Sequence, residues 1–468
     1  MNITRRFLST NSNLKKLAVI GSGPSSFYTI LQILKKQPNN FQIDIFEKNP
    51  SPFGLVRYGV APDHPEVKNC IDKFNEISEF IKTGKVKYFG NVEICKDLSL
   101  NDLYKNYNGI LYAYGSSNGN KVEFPGSLHQ NIINSFDFVN WYNGNHNYKN
   151  VIKSLKGIKD ISIIGAGNVA IDIIRILLGD VNKRWKSTDI SNHALNILKE
   201  SDVKNVNVII RRGILDSKFT NKELRELLEM RDEGVEFKGW NKEDFDEQLK
   251  SLGKLDRVNK RRIDLLNKYK ENGNGNGNKG WKLNYLRSPI GIMVKPDGNI
   301  KELLVKVSKM VHNEENDKWE YKSDGKIESI PSDLVILATG YKCEPLNEFK
   351  EIGILFENGK IINNNGKIEN IKNSYCVGWV SNNSQGNINN TVNDSMNVAE
   401  TIINDEDLIN DENKEGRKEI EIILKNKKHK IVKWEDWEKI HSIEIDQGNK
   451  DGKPYNKLSF NEMLELVK

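Results

Sequence analysis

Two short glycine motifs hold the residues with the clearest chemical capacity. Gly21-Ser22-Gly23-Pro24-Ser25-Ser26 follows the apolar run LAVI and leads into the periodic stretch SFYTILQIL. A glycine at 21 permits a tight turn, and a glycine at 23 lets an anion approach bare backbone. A helix starting there aims free N–H groups and the positive end of its dipole at that anion. Glu47 ends the next apolar run, QIDIFEK, where a carboxylate can accept the two hydroxyls of a ribose. Ser26 stands where a third glycine usually lets helix and strand pack closely, so this copy of the motif is incomplete.

The second motif is complete. Gly165-Ala166-Gly167-Asn168-Val169-Ala170 reads G-x-G-x-x-A after the apolar run ISII, and Asn168 can donate to a pyrophosphate. The run VNVII that follows ends in Arg211-Arg212, not in an acid. A carboxylate there would bind a 2′-hydroxyl and repel a 2′-phosphate; two guanidiniums do the reverse, so the expected dinucleotide is NADP rather than NAD. Alone, the pair reads as a solvated basic pair at a strand end. The spacing from Gly165 to Arg211 is far longer than the usual ~20 residues, which a polar insertion over about 179–204 accounts for. Glu223 is open to a contact with the ribose, a contact with the nicotinamide, or a surface position.

These residues need strand–turn–helix–strand units to place them. The segments 17–34 with 42–48, and 160–178 with 206–213, read as two such units, which predicts an α/β fold with two doubly wound, Rossmann-like nucleotide-binding domains. The short apolar runs LYAYG (111–115) and VILATGY (335–341) lie on either side of the second unit. They predict that the second domain, 116–340, is inserted in the first, which is built from 17–115 and 341–468. NGNGNGN (272–278) reads as a flexible loop, and 405–430 as a charged connection or helix.

Composition narrows the class. The chain has 468 residues, enough for more than one domain, with 37% hydrophobic and 29% charged residues. No apolar stretch is long enough to span a bilayer. A net charge of +6 is too small to argue for nucleic acid. Cys70, Cys95, Cys343 and Cys376 are far apart and form no Cys-x-x-Cys pair, and the seven histidines are scattered, so no metal is expected. Before Leu17 the chain carries Arg5, Arg6, Lys15 and Lys16 among Ser, Thr and Asn, with no acid until Asp44. Residues 1–16 therefore read as a mitochondrial transit peptide.

The motifs together resemble the mitochondrial adrenodoxin reductases, the NADPH:ferredoxin oxidoreductase family. The resemblance rests on FGLVRYGVAPDHPEVKN (53–69), GAGNVAIDIIRILL (165–178), RRG with FTNKELRELL (211–228), RSPIGIM (287–293), YCVGWV (375–380) and VKWEDWEKI (432–440), in family order along nearly the whole chain. It implies FAD on the first unit, with Ser25, Glu47, Leu55 and Val92 at FAD-contacting positions and Trp379, Gly386, Asn387 and Ile388 near the flavin. It implies NADP on the second, at Ala166, Val169, Arg211, Arg212 and Glu223. His64 and Asp172 match a pair that handles protons in the family. This sequence departs from the family at Ser25-Ser26, where Ala-Gly is usual, and at Asn383-Ser384-Gln385-Gly386, where a Gly-Pro-Thr-Gly run is usual. The altered loop is expected to frame the rings differently.

The resemblance also implies a partner, an acidic [2Fe–2S] ferredoxin. Arg257, Lys260, Arg261 and Arg262 form a basic cluster where the family meets that partner; as a bare charge run the same cluster reads as a solvated helix face. The expected protein is a monomer of the mitochondrial matrix, with peripheral contact to the inner membrane left open. Two other functions share the glycine motifs. One is a flavin monooxygenase that reacts with oxygen directly. The other is a non-catalytic, NADP-sensing module.

Overall fold

The computed structural model describes residues 14–240, 255–271, 277–313, 318–384, 386 and 388–467. The first 13 residues of the leader, residues 272–276 of the Asn/Gly run, Gln385 and Asn387 lie outside the described residues.

Two parallel sheets dominate, and their strands are the apolar runs of the sequence. The first has the order Ser374–Cys376, Gly109–Tyr112, Lys15–Ile20, Phe41–Glu47, Val86–Gly90. The second has the order Ile132–Asn134, Leu334–Leu337, Asp160–Ile164, Asn205–Ile210, Lys279–Tyr285, Val235–Trp240. Every pairing within both is parallel. Helices cover both faces of such sheets, which is why successive strand residues are buried whatever their type: Leu17, Ala18 and Val19, Ile43, Asp44 and Ile45, and Ile161, Ser162 and Ile163. In each sheet the strand that precedes a glycine motif lies inside, with later strands on either side. That is the doubly wound arrangement, whose ligand crevice opens at the carboxyl end of that strand.

The first sheet takes its outermost strand, Ser374–Cys376, from the far end of the chain, after the second sheet is complete. The two crossings between the sheets pair with each other: Asn118–Gly119 runs antiparallel to Tyr341–Lys342. A third, antiparallel sheet of Arg287–Val294, Ile300–Asn313 and Lys318–Pro331 is attached to the second lobe.

The first strand begins at Lys15, inside the stretch read as leader. Its extension is held by Lys15 N–H on Asn40 O at 2.8 Å and Lys16 N–H on Asn108 Oδ1 at 2.7 Å. The charged 405–430 segment contributes the helix Arg417–Asn426, whose Ile420 and Leu424 are buried and whose Arg417 pairs with the buried Asp44 at 2.5 Å. The 179–204 stretch is less polar in space than in sequence. Trp185, Ile190 and Ala194 are buried in the second lobe's core, and the stretch forms the helix Asn192–Lys199.

Candidate functional site

The two glycine turns separate what the protein needs from what something else needs. Gly21 has φ +100°, and a Cβ there would sit 2.6 Å from the carbonyl oxygen of Ala113. Gly165 has φ +120°, and a Cβ would sit 2.2 Å from the carbonyl of Ala338. Both positions require glycine for the fold itself. Gly23 and Gly167 are different. Their φ values, −83° and −104°, suit any residue, and a Cβ on either would meet nothing within 4 Å. Each is the N-cap of a helix, Pro24–Lys36 or Asn168–Leu178, so the space a Cβ would fill lies before free helical N–H groups. Neither backbone nor packing asks for glycine there; a phosphate-bearing ligand does. The residues present therefore fit a pyrophosphate at each turn.

Ser26 explains its own departure from pattern. Its buried hydroxyl donates to the carbonyl of Gly21 at 2.6 Å, closing the turn where a glycine would leave contact only. Ser25 is also buried, and its carbonyl accepts from Ser395 Oγ on the helix Ile388–Ile403. Glu47 is buried and preset. One carboxylate oxygen accepts from Ser22 N–H at 3.0 Å and Ser22 Oγ at 2.7 Å, and the other accepts from Asn49 N–H at 2.9 Å. Val92, also buried, is anchored by its N–H on Glu47 O at 2.8 Å, and Leu55 lies half-buried in the short helix Gly54–Tyr58.

At the second turn, Asn168 Oδ1 accepts from Thr220 N–H at 2.9 Å, and the carbonyl of Ala166 accepts from Lys218 and Phe219. Asn168 thus braces the helix Asn221–Glu229 against the glycine turn, and Ala166 and Val169 are half-buried beside it. Arg211 and Arg212 are exposed at the end of the strand Asn205–Ile210. Arg212 is 3.8 Å from Asp216, a loose pair that leaves its guanidinium accessible.

The C-terminal loop closes on the first turn. Gly378 has φ +74°, and a Cβ there would be 2.6 Å from Ser25 Oγ, so this glycine lets the segment before Trp379 lie against the motif. Asn383 and Ser384 both have positive φ, and Trp379 Nε1–H reaches the carbonyl of Gly386 at 3.3 Å, which ties the loop's two ends. Ser384 Oγ lies 2.5 Å from Ser116 Oγ and 3.3 Å from Cys343 Sγ. The altered loop is therefore pinned to both crossings between the lobes. Ile388 opens the helix behind it. Gly378 carried no expectation of its own, although it adjoins Trp379 in the YCVGWV motif; Ser384 belongs to the loop expected to differ from the family.

His64, Asp172 and Glu223 come together from three separate segments, with ligand atoms all within 4.8 Å of one another. Between them lies Arg175, fully buried and not foreseen. Its guanidinium is 2.7 Å from Asp172, 2.9 Å from Glu223 and 2.9 Å from Asp63, and 2.5 Å from His64 Nε2. The guanidinium fills the place a bound cation would take. Hydrogen bonding to Glu223 pushes His64 up to about 9 against its burial, with Glu66 and Asp63 adding to the effect. Burial pushes Asp172 up to about 7, although Arg175 opposes it. Nε2 of His64 cannot accept from Arg175 and donate to a carboxylate at once. The neutral ring suits the first arrangement, with Nδ1–H donating to Glu66 at 3.1 Å; the imidazolium suits the second, with Glu226 at 3.3 Å and Glu223 at 3.5 Å. The group can thus hold or release a proton by exchanging partners.

The basic cluster divides. Arg257, Lys260 and Arg261 are exposed on the helix Arg257–Glu271. Arg262, expected to face a partner with them, is turned inward. It is 6% exposed, donates to the carbonyls of Ile214 and Phe219, and stacks on the Phe219 ring at 5.2 Å.

No family model matches the chain. It is similar over 99% of its length to the probable mitochondrial NADPH:adrenodoxin oxidoreductase of Saccharomyces cerevisiae, at 35% identity and 98% coverage of that protein. It is similar over its whole length to the mitochondrial NADPH:adrenodoxin oxidoreductase of Drosophila melanogaster, at 34% identity and 98% coverage of that protein. The Homo sapiens protein of that name is 32% identical, over 98% of this chain and 93% of that one. Among solved structures, Mycobacterium tuberculosis FprA in complex with NADPH superposes with a TM-score of 0.85 at 29% identity, covering 97% of this chain and 99% of the other.

Proposed function

The chain belongs to the NADPH:adrenodoxin oxidoreductase family, and from that membership we propose that it passes electrons from NADPH through FAD to a mitochondrial [2Fe–2S] ferredoxin. The observation that carries this reading is the paired, otherwise unexplained glycine at Gly23 and Gly167, one for each dinucleotide. Residues 17–115 with 341–468 form the FAD domain, and 116–340 the NADP domain. When bound, NADPH supplies an electron pair and FAD hands it on singly, which a one-electron iron–sulfur acceptor requires.

The residues position the two groups and manage protons. Gly21, Gly23 and Ser25 receive the FAD pyrophosphate, Glu47 its ribose, and Leu55 and Val92 its flanks. Gly165, Ala166, Gly167, Asn168 and Val169 receive the NADPH pyrophosphate, and Arg211 and Arg212 its 2′-phosphate. Trp379, Gly386 and Ile388 frame the rings and exclude water. His64 holds a proton at Nε2, and the partly buried carboxyl of Asp172 holds one beside it; Glu223 acts with them, braced by Arg175. Arg257, Lys260 and Arg261 steer an acidic ferredoxin, in a manner that added salt should weaken. The protein works as a monomer in the mitochondrial matrix.

The test is an anaerobic titration of the purified protein. NADPH should bleach the flavin absorbance far more readily than NADH, and a mitochondrial [2Fe–2S] ferredoxin should restore it. A protein that carries no flavin ends the proposal. Flavin that NADPH bleaches and ferredoxin does not restore keeps both cofactor sites and removes the partner.

A further inference from the structure

The turn that carries Arg211 and Arg212 is tied down by a residue from outside its own sheet. Tyr321 lies on the strand Lys318–Pro331 of the antiparallel sheet, far along the chain. Its hydroxyl donates to Asp216 Oδ2 at 2.5 Å and accepts from the N–H of Gly213 at 3.3 Å. Gly213 follows the arginine pair directly, and Asp216 closes the same turn through its own N–H on Gly213 O at 3.1 Å. Asp216 is also the carboxylate 3.8 Å from Arg212.

That carboxylate is an anomaly. A negative charge beside a pair of guanidiniums competes with an incoming phosphate, both by repelling it and by neutralising an arginine. Arg212 is 52% exposed and Asp216 33%, so either side chain can turn toward the other. The tyrosine hydroxyl offers Asp216 a different partner, and with that bond made Asp216 stays 3.8 Å from Arg212. The hydroxyl stays protonated for this: burial, with the Asp216 hydrogen bond, pushes Tyr321 up to about 12.

We propose that Tyr321 is a specificity-positioning residue: by holding Asp216 aside it keeps Arg211 and Arg212 free for a 2′-phosphorylated adenosine. The inference rests on the reading of the arginine pair as the 2′-phosphate site. It explains why an acid can stand within the turn at all, and it assigns the long hairpin a role in choosing the dinucleotide.

The test is calorimetry on the purified flavoprotein with 2′,5′-ADP and 5′-AMP, which report the adenosine end without any turnover. Tyr321→Phe should weaken 2′,5′-ADP about five- to tenfold, the scale of one hydrogen bond to a charged group, and leave 5′-AMP within about twofold. Adding Asp216→Asn should restore 2′,5′-ADP binding, because the freed competitor is then uncharged. The NADPH-over-NADH preference in flavin bleaching should move with these affinities. An unchanged ratio in Tyr321→Phe, or a double variant as weak as the single one, overturns the proposal. Arg211→Gln and Arg212→Gln keep the two layers apart. If they leave 2′,5′-ADP binding intact, the 2′-phosphate reading itself falls; if they abolish it while Tyr321→Phe does nothing, only the role of Tyr321 falls.

Discussion

Two buried charge clusters join the lobes, and they are built in opposite ways. In one, Arg175 of the second lobe faces Asp63 and His64 of the first, with Asp172, Glu223 and Glu226 around it and Glu66 on His64. Arg184 also reaches Asp63, at 3.2 Å. In the other, Asp189 of the second lobe takes Lys68 of the first at 2.6 Å and Lys457 and Tyr455 of the C-terminal segment at 3.0 and 2.7 Å. Lys453 continues this clasp on Ile190 O and Asn192 Oδ1. The first cluster is rich in carboxylates and the second in ammonium groups.

The consequence lies in what a proton does to each. One carboxylate can neutralise one ammonium. Lys68 donates to both oxygens of Asp189, at 2.8 and 2.6 Å, so the buried ammonium groups beyond it are in surplus: burial pulls Lys453 down to about 8 and the fully buried Lys457 to about 7. Its deprotonation leaves the Lys68–Asp189 pair in place. The carboxylate cluster has no such bystander. Protonating or deprotonating His64 decides whether Nε2 faces Arg175 or a carboxylate, one turn away from the second glycine motif. A clasp and a proton store are thus made from the same residue types by changing which charge is in excess.

The largest effects should come from removing the centre of each cluster. Asp189→Asn strands buried ammonium groups and should cost about 3–5 kcal/mol in urea unfolding; Arg175→Met strands carboxylates that are partly exposed and should cost less, about 2–4 kcal/mol. They should part in function. The pH dependence of flavin bleaching by NADPH should shift in Arg175→Met and stay put in Asp189→Asn. If Asp189→Asn moves the profile as much, the two clusters do not divide the labour and the comparison fails.

Stability against pH sharpens the contrast, because the slopes have opposite sign. His64 is raised from 6.5 to about 9, so the native state binds the extra proton; its contribution is complete below about 6.5 and is lost as pH rises through about 9. Asp172, raised to about 7, likewise lowers stability as pH rises from about 4 to 7. Lys457 is lowered from 10.5 to about 7, so the unfolded chain binds more protons and stability rises with pH across that window. Between about 7 and 9 the His64 and Lys457 slopes oppose each other. His64→Gln should reveal the rising slope over the window, and Lys457→Met the falling one between about 7 and 8, below the range in which Lys453, lowered to about 8, adds its own rise; each is worth roughly 1–3 kcal/mol in unfolding series at fixed salt. Parallel slopes in the two variants would refute the assignment.

How much of this the sequence disclosed follows from distance along the chain. The sheets, both glycine turns and Glu47 were legible because strand, turn and helix are consecutive there. Arg175 was not: it sits in IDIIRILL, an apolar helical run, and although Asp172 is three residues away, its other counter-ions Asp63 and Glu223 are 112 and 48 residues away. Tyr321 is hidden for the same reason, 105 residues from Asp216. Trp185 and Ile190 stand singly among polar residues, and the only helical spacing in the 179–204 stretch, Ala194, Leu195 and Leu198, is too short to mark the whole of it as core. Arg262 carried a usable signal: it lies four residues before the buried Leu266 and next to the buried Ile263, on the helix's inner face.

The smallest effect tests where the carboxylate cluster ends. Lys222 sits at its rim, 62% exposed, 3.3 Å from Glu66 and 3.7 Å from Glu226. Solvent screens such a pair, so Lys222→Ala should change stability by no more than about 0.5 kcal/mol. Its charge still opposes a proton on His64, which Glu66 contacts directly. Loss of that charge should therefore raise the His64 midpoint slightly at low salt, measured from its ring proton resonances, and the difference should vanish near 1 M salt. A large, salt-insensitive change would place Lys222 inside the cluster and make the proton store wider than the buried groups alone.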